Sequence, residues 1–443
     1  MTVGRYLPTM TRWLPAVAAL VTLATCRPAP APPPPAPAVD PCVLDLGTGP
    51  TADTLTIAVV GAIDPTLAPQ ARTDAERILF RHLYEPLIEV TCDGVVRPGL
   101  ASSWRPSDGG RTWVFTLRGD AGFWDGVPVT ATDVLAAWRA QDTAAVLAPW
   151  AGPVAQAVSA VDESTLVVRL DTTYAAVPRA LADPSLAVAK RVAGLPAPLG
   201  TAPYWLDAAA WDRTASPLPG RPGPMRPVLV FRPVGADARD ALDEDAGAVV
   251  TDDPATLTYA AARSDLTSIP LPWDRTYVLL RPWHDVAVPD GAALAEDAVH
   301  VEARAAELPE WWREAAGCAG FPARPGPDQP APPAANAAIA YLQGDAVARG
   351  LAERLVAVRG DGRRAVGYRA AAFAALLRGG ESEAVLALPR AALDACVALR
   401  RLRARWPVPA GDVLPLVDVR RRLIVRRPLS GVYLDWDGVP RWR

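Results

Sequence analysis

Lysine is nearly missing from this 443-residue chain: Lys190 is the only one among 45 basic residues, so arginine carries the positive charge. Histidine occurs three times, at His82, His284 and His300, and never in a metal-ligating spacing such as H-E-x-x-H. There is no G-x-S-x-G turn, no glycine-rich phosphate loop and no C-x-x-C pair. Catalysis needs a nucleophile beside a base, or carboxylates placed across a cleft, and no such set is legible here. These absences argue against an enzyme and leave no ligand set for a metal or other cofactor. The net charge of −3 gives no electrostatic case for nucleic acid. Beyond the N-terminus no apolar run reaches membrane-spanning length, so the remainder is expected to be soluble. The arginine-rich stretches 400–405, 420–422 and 426–427 are expected to be solvated faces rather than anion sites.

The N-terminus is different. Arg5 and Arg12 form a basic lead, and residues 13–25 carry no charge. The aliphatic run 16–23 is too short for a bilayer, which takes ~20 residues, but fits the apolar part of a secretory signal. It ends Leu23-Ala24-Thr25-Cys26, which resembles a bacterial lipobox, with Cys26 lipidated as the first mature residue. The plainer alternative is an ordinary signal with a chance cysteine. RPAPAPPPPAPAVDP, residues 27–41, then reads as an extended polyproline tether that cannot pack a core. With Cys26 set aside, Cys42, Cys92, Cys318 and Cys396 remain. An even number in an oxidising compartment suggests disulfides, with three possible connectivities. Cys42–Cys92 and Cys318–Cys396 are the favoured pairs.

The informative block is LASSWRPSDGGRTWVFTLRGDAGFWDGVPVTATDVLAAWRA, residues 100–140. Trp113, Phe115 and Leu117 alternate with Val114 and Thr116, the period of a half-buried strand. Asp108-Gly109 and Asp125-Gly126 are turn dipeptides. Thr130-Ala-Thr-Asp133 starts a helix in capping-box fashion, and Val134, Leu135 and Trp138 give it an apolar face. As a whole the block resembles the signature of the family 5 extracellular solute-binding proteins, the oligopeptide-, dipeptide- and nickel-binding lipoproteins of ABC importers.

Elsewhere the pattern alternates strands and helices. Residues 55–60 predict a strand, followed by the turn Gly61-Ala62-Ile63-Asp64-Pro65. Thr73-x-x-Glu76 opens a capped helix. Residues 83–90 lead into a Cys92-Asp93-Gly94 hairpin turn. Strands are expected over 166–170, 228–231, 276–280 and 382–388. Mixed helical character is expected over 177–189 and a charged amphipathic segment over 236–248. Helical signals cover 337–358, 368–377 and 387–402, and no internal repeat is apparent. PLGTAPYW (198–205), the loop 317–333 and the segment 414–438 resemble family elements. The 15 tryptophans, against 6 phenylalanines, are expected to serve mainly as core, with some lining a cleft.

The resemblance implies an α/β, periplasmic-binding-protein-like two-lobed fold of the class II, cluster C type. The larger lobe would be discontinuous and the second lobe shortened. The expected divisions are signal 1–25, tether 26–54, first lobe 55–275, second lobe 276–412, and a return to the first lobe at 413–443. A peptide or similar small solute would lie between the lobes, with no cofactor. Hinge closure would present it to the subunits of a membrane ABC permease. Positions in the pattern point to Ile63, Asp64, Tyr204, Trp205 and Trp273 as ligand contacts, and to Arg281 for an anionic group. The protein would be a monomer of the periplasm or cell envelope, held to the membrane by its lipid. The rival expectation is a degenerate relative, a surface lipoprotein with a scaffold or sensory role.

Overall fold

The computed structural model describes residues within 42–139, 154–281, 312–314, 338–389 and 412–442, with short gaps. Its strands, in chain order, are β1 (Thr54–Val60), β2 (Ile88–Val90), β3 (Val96–Pro98), β4 (Ala101–Ser107), β5 (Thr112–Leu117), β6 (Val158–Ala160) and β7 (Thr165–Arg169). Next come β8 (Tyr204–Trp205), β9 (Thr214–Pro217), β10 (Val228–Val234), β11 (Ala248–Thr251), β12 (Leu266–Pro270), β13 (Arg275–Arg281) and β14 (Trp312–Glu314). The rest are β15 (Ala338–Leu342), β16 (Arg364–Tyr368), β17 (Glu383–Pro389), β18 (Asp412–Val419), β19 (Arg422–Arg426), β20 (Val432–Leu434) and β21 (Pro440–Trp442).

Two mixed sheets organise these strands. The first has the order β12-β19-β11-β1-β10-β9-β8, and the second β14-β18-β13-β17-β15-β16. Strand β1 runs parallel to both β10 and β11, as the near-continuous apolar run at 55–60 requires. Ile57 and Val59 face one core while Ala58 faces another, so this strand is covered on both sides. In the second sheet β15 is parallel to β16 and β17. Helix Ala346–Arg359 buries Ala348, Leu351, Ala352 and Leu355 against that sheet's core.

The informative block folds as its pattern predicts. Strand β5 buries Trp113, Phe115 and Leu117 and turns Val114 and Thr116 outward. It is central in a four-stranded sheet of order β4-β5-β7-β6. Helix α2 (Ala131–Arg139) begins where Asp133 accepts from the Thr130 amide at 2.9 Å while its own amide donates back to the Thr130 hydroxyl. Val134, Leu135 and Trp138 close the core, and the Trp138 indole donates to the Leu186 carbonyl at 2.8 Å. These residues are packing, not an open wall.

Three details differ from the sequence expectation. Helical signals over 337–358 conceal β15, because AIAYL is a buried apolar run; the turn at Gly344 (φ 98°) and the Asp345 cap separate it from the helix. The stretch 177–189 holds only a single helical turn, Val177–Ala180, and a 3-10 turn, Pro184–Leu186, since Pro184 and the Asp183 cap interrupt it. Finally, β18 pairs with β13 in the second sheet, so the chain re-enters the first sheet at 420–421 rather than at 413. Cys42 and Cys92 form a disulfide. Beside it, the Leu44 amide donates to Val432 and the Leu434 amide to Cys42, so the end of the proline-rich segment adds to the β20–β21 hairpin. Cys26, Cys318 and Cys396, the signal and the expectation for 317–333 lie outside the described residues, as does the helix expected over 387–402 beyond residue 389, while residues 387–389 end β17.

Candidate functional site

The two sheets are joined by two short crossings, residues 271–274 between β12 and β13, and residues 420–421 between β18 and β19. Register fixes where these crossings lie. Thr251 and Pro270 both pair with Arg422, so both crossings leave the first sheet at the carboxyl end of β11. The crossings hold each other: the Leu271 amide donates to the Arg421 carbonyl at 2.9 Å. On the second-sheet side, Thr276 opposes Asp418 and its hydroxyl donates to that carboxylate at 2.7 Å. The crevice outside the carboxyl ends of parallel strands is where open α/β sheets hold ligands, because helix N-termini and loops converge there.

Each sheet sends carboxylates to this place. After β1, Thr73 caps helix α1 (Asp74–Leu83), accepting from the Glu76 amide at 3.1 Å. The buried Glu76 carboxylate accepts from the backbone of Asp64, Arg72 and Thr73, at 2.9, 2.6 and 3.1 Å, which ties the β1 loop to the helix. Asp74, in the first turn, then reaches both crossings. Arg275 donates to it at 2.6 Å, and Arg421, only 2% exposed, lies 3.0 Å from it. Burial opposes the Asp74 charge, but Arg275, Arg421 and Arg77 outweigh it and hold the carboxyl far below the usual range.

Asp252 directly follows β11, next to the Asp253 cap of helix Pro254–Ala261. Burial pushes its carboxyl up, against the pull of Arg275 and Arg421 and with the help of Asp74 and Asp345. Asp345 comes from the second sheet, after β15. It caps its helix through the Ala348 amide at 2.9 Å and accepts the Tyr277 hydroxyl at 3.0 Å. Burial raises its carboxyl too, partly offset by that amide and by Arg275. Among the described residues, then, the junction gathers Asp74, Asp252 and Asp345 around Arg275 and Arg421.

The expected contact residues are spread around this junction unevenly. Trp273 is at it, with the Arg420 guanidinium 4.5 Å from its ring centroid. Ile63 is half-buried on the first core, and Asp64 is exposed on the β1 loop, where it accepts from the Thr66 amide and hydroxyl. Those bonds, the hydroxyl first, hold its carboxyl low. Tyr204 and Trp205 belong to β8, the opposite edge of the first sheet from β12. Tyr204 is 3% exposed and meets His82 edge-on, so it packs the core rather than facing an open cleft. Arg281 ends β13, far along the strand from the crossing; its side chain lies outside the described residues.

Asp74, Asp252, Arg275, Tyr277, Asp345 and Arg421 are absent from the sequence expectation. Asp74 and Asp345 sit inside cap patterns, which account for an acidic residue without needing a site. Arg421 sits in a stretch expected to be solvated. That expectation is corrected for the described arginines. Arg421 is buried, Arg420 stacks on Trp273, Arg422 donates to Ser268 at 2.8 Å, and Arg426 pairs with Asp265 at 2.5 Å. His82 is a core residue, taking Ile78 and Trp442 backbone partners at 2.8 and 3.1 Å. Among the described residues no cluster of three or more His, Cys, Asp or Glu could hold a metal ion.

Comparison with known proteins accords with this architecture. Residues 95–216 match the model for bacterial extracellular solute-binding proteins, family 5. The nickel-binding periplasmic protein of Escherichia coli K12 is 32% identical over 158 residues, 33% of this chain and 29% of that protein. The murein peptide-binding protein MppA of the same organism is 34% identical over 112 residues, 21% of each. The matched stretches thus span less than a third of these curated relatives. The fold likeness is broader. NikA from Brucella suis, solved with Fe(III)-EDTA, superposes with a TM-score of 0.61 at 16% identity, covering 88% of this chain and 100% of that one. DppA from Helicobacter pylori, solved with the peptide STSA, gives 0.60 at 13%, covering 89% and 99%. The fold is therefore the two-lobed binding-protein fold, and residues 95–216 of the chain are similar to the bacterial extracellular solute-binding proteins of family 5.

Proposed function

We propose that this chain is the solute-binding component of an ABC importer, binding a peptide or similar small solute between its two lobes. The observation that carries the reading is the paired crossing at 271–274 and 420–421. Two short, mutually hydrogen-bonded strands join two sheets, and such a joint permits one lobe to rotate on the other. Ile63, Asp64 and Trp273 would wall the first-lobe side, with Arg281 meeting an anionic group. Relatives named for nickel, murein peptides and oligopeptides support a small-solute cargo. Peptides suit a crevice walled by an aromatic side chain such as Trp273, since stacking area tolerates varied side chains. Lipid at Cys26 and the tether 27–41 would hold the lobes, as a monomer, near a membrane permease in the periplasm. Mass spectrometry of material extracted from the purified protein tests the cargo. Bound peptides or a single recurrent solute support the reading. A preparation that carries nothing and takes up none of a peptide pool supports the scaffold or sensory alternative.

A further inference from the structure

Asp74 serves two arginines while its neighbour Asp252 serves none. Asp74 lies within 2.6 Å of Arg275 and 3.0 Å of Arg421. Asp252 comes from the same lobe, one strand away, since β11 is the parallel neighbour of β1. Antiparallel register sets Thr251 opposite Arg422, which brings Asp252 beside Arg421. Among the described residues Asp252 accepts no hydrogen bond, although it is only partly exposed. The Asp252 carboxylate reaches solvent here, and it gains Coulombic attraction when a cation comes beside it. The groups around it are Asp74 from α1, Arg275 from β13, Arg421 from the second crossing and Asp345 from the other lobe.

The two arginines are the residues at which the chain changes sheets. Arg275 is the first residue of β13, and Arg421 the last before β19. Any rotation of the lobes turns these backbones relative to the first lobe, which carries both Asp74 and Asp252. We propose that Asp74 and Asp252 are alternative partners for the hinge arginines, so that lobe rotation is a swap between two ion-pair arrangements. In the arrangement seen here Asp74 holds both arginines; in the other, Asp252 takes one of them. The loss of one pair is then offset by the gain of another, which gives a hinge two discrete states rather than a continuous range.

The inference rests on the lobe rotation of the functional reading, though not on any cargo, so it is tested without ligand. Spin labels are introduced through non-canonical amino acids at Asp240 in the first lobe and Arg349 in the second, both exposed. Electron–electron distance distributions are then measured for the parent, Asp252→Asn and Asp74→Asn. Removing Asp252 should raise the population at the distance of this structure, and removing Asp74 should lower it, each by roughly threefold. Should Asp74→Asn fail to fold, Asp252→Asn and Asp252→Ala carry the test, both expected to raise that population. Two populations that ignore the substitutions, or move the same way for Asp74 and Asp252, overturn the swap alone. A single unchanging distance in every variant overturns the swap and the rotation together.

Discussion

Asp437 shows how single residues here are set by their partners. It is buried, and Arg81 donates to it at 2.7 Å while an Arg77 nitrogen lies at 3.5 Å. Burial pushes its carboxyl up, but Arg81 and Arg77 outweigh that and hold it at about 2. Its neighbour Asp435 goes the other way, raised chiefly by burial. The sign for Asp437 follows from linkage: a depressed carboxyl stabilises above its unfolded value of 3.8, and that contribution is lost as pH falls towards 2. Asp437→Asn should therefore cost about 2 kcal/mol or more near neutral pH. Urea unfolding of both proteins should show the gap shrinking as pH drops below the ordinary carboxylate range; a gap independent of pH would refute the pairing. None of this is readable in sequence, because residues 81 and 437 are brought together only by the return of the chain to the first lobe.

At the scale of elements, the sequence was most legible where the determinants are local. The strand period at 112–117, the Thr130 cap and the Thr73 capping box are each decided within a few residues, and each folds as expected. Strand β15 was hidden because a short buried apolar run reads equally as helix, and neighbouring strands settle the matter. The same limit applied to β18, which long-range pairing with β13 assigns to the second sheet. The end of the proline-rich segment is an element of its own, a bridge onto the C-terminal hairpin secured by Cys42–Cys92. That bond closes a loop with a sequence separation of 50. Replacing both cysteines by serine should lower stability by about 2–4 kcal/mol. The check is the denaturant midpoint of the double variant against the parent under non-reducing conditions, where an unchanged midpoint would count against it.

For the whole molecule, the family resemblance and the architecture were legible because the signature block is contiguous, whereas the junction was not. Asp74, Asp252, Arg275, Asp345 and Arg421 are spread along nearly 350 positions and meet only where the chain crosses between the two sheets. Cap patterns masked Asp74 and Asp345, and an arginine-rich stretch masked Arg421. Tyr204 illustrates the converse: a position chosen from the pattern that the fold assigns to the core. The central claim is that a small solute binds the folded, two-lobed state. A ligand that binds only the native state stabilises it by RT ln(1 + [L]/Kd), about 2.7 kcal/mol at a hundredfold excess over Kd. The direct measurement is the melting temperature of the purified protein against a panel of dipeptides, longer peptides and nickel chelates. The account predicts that one class raises it by a few degrees and that the rise grows with concentration. A melting temperature unmoved by every member of the panel at millimolar concentration would contradict it.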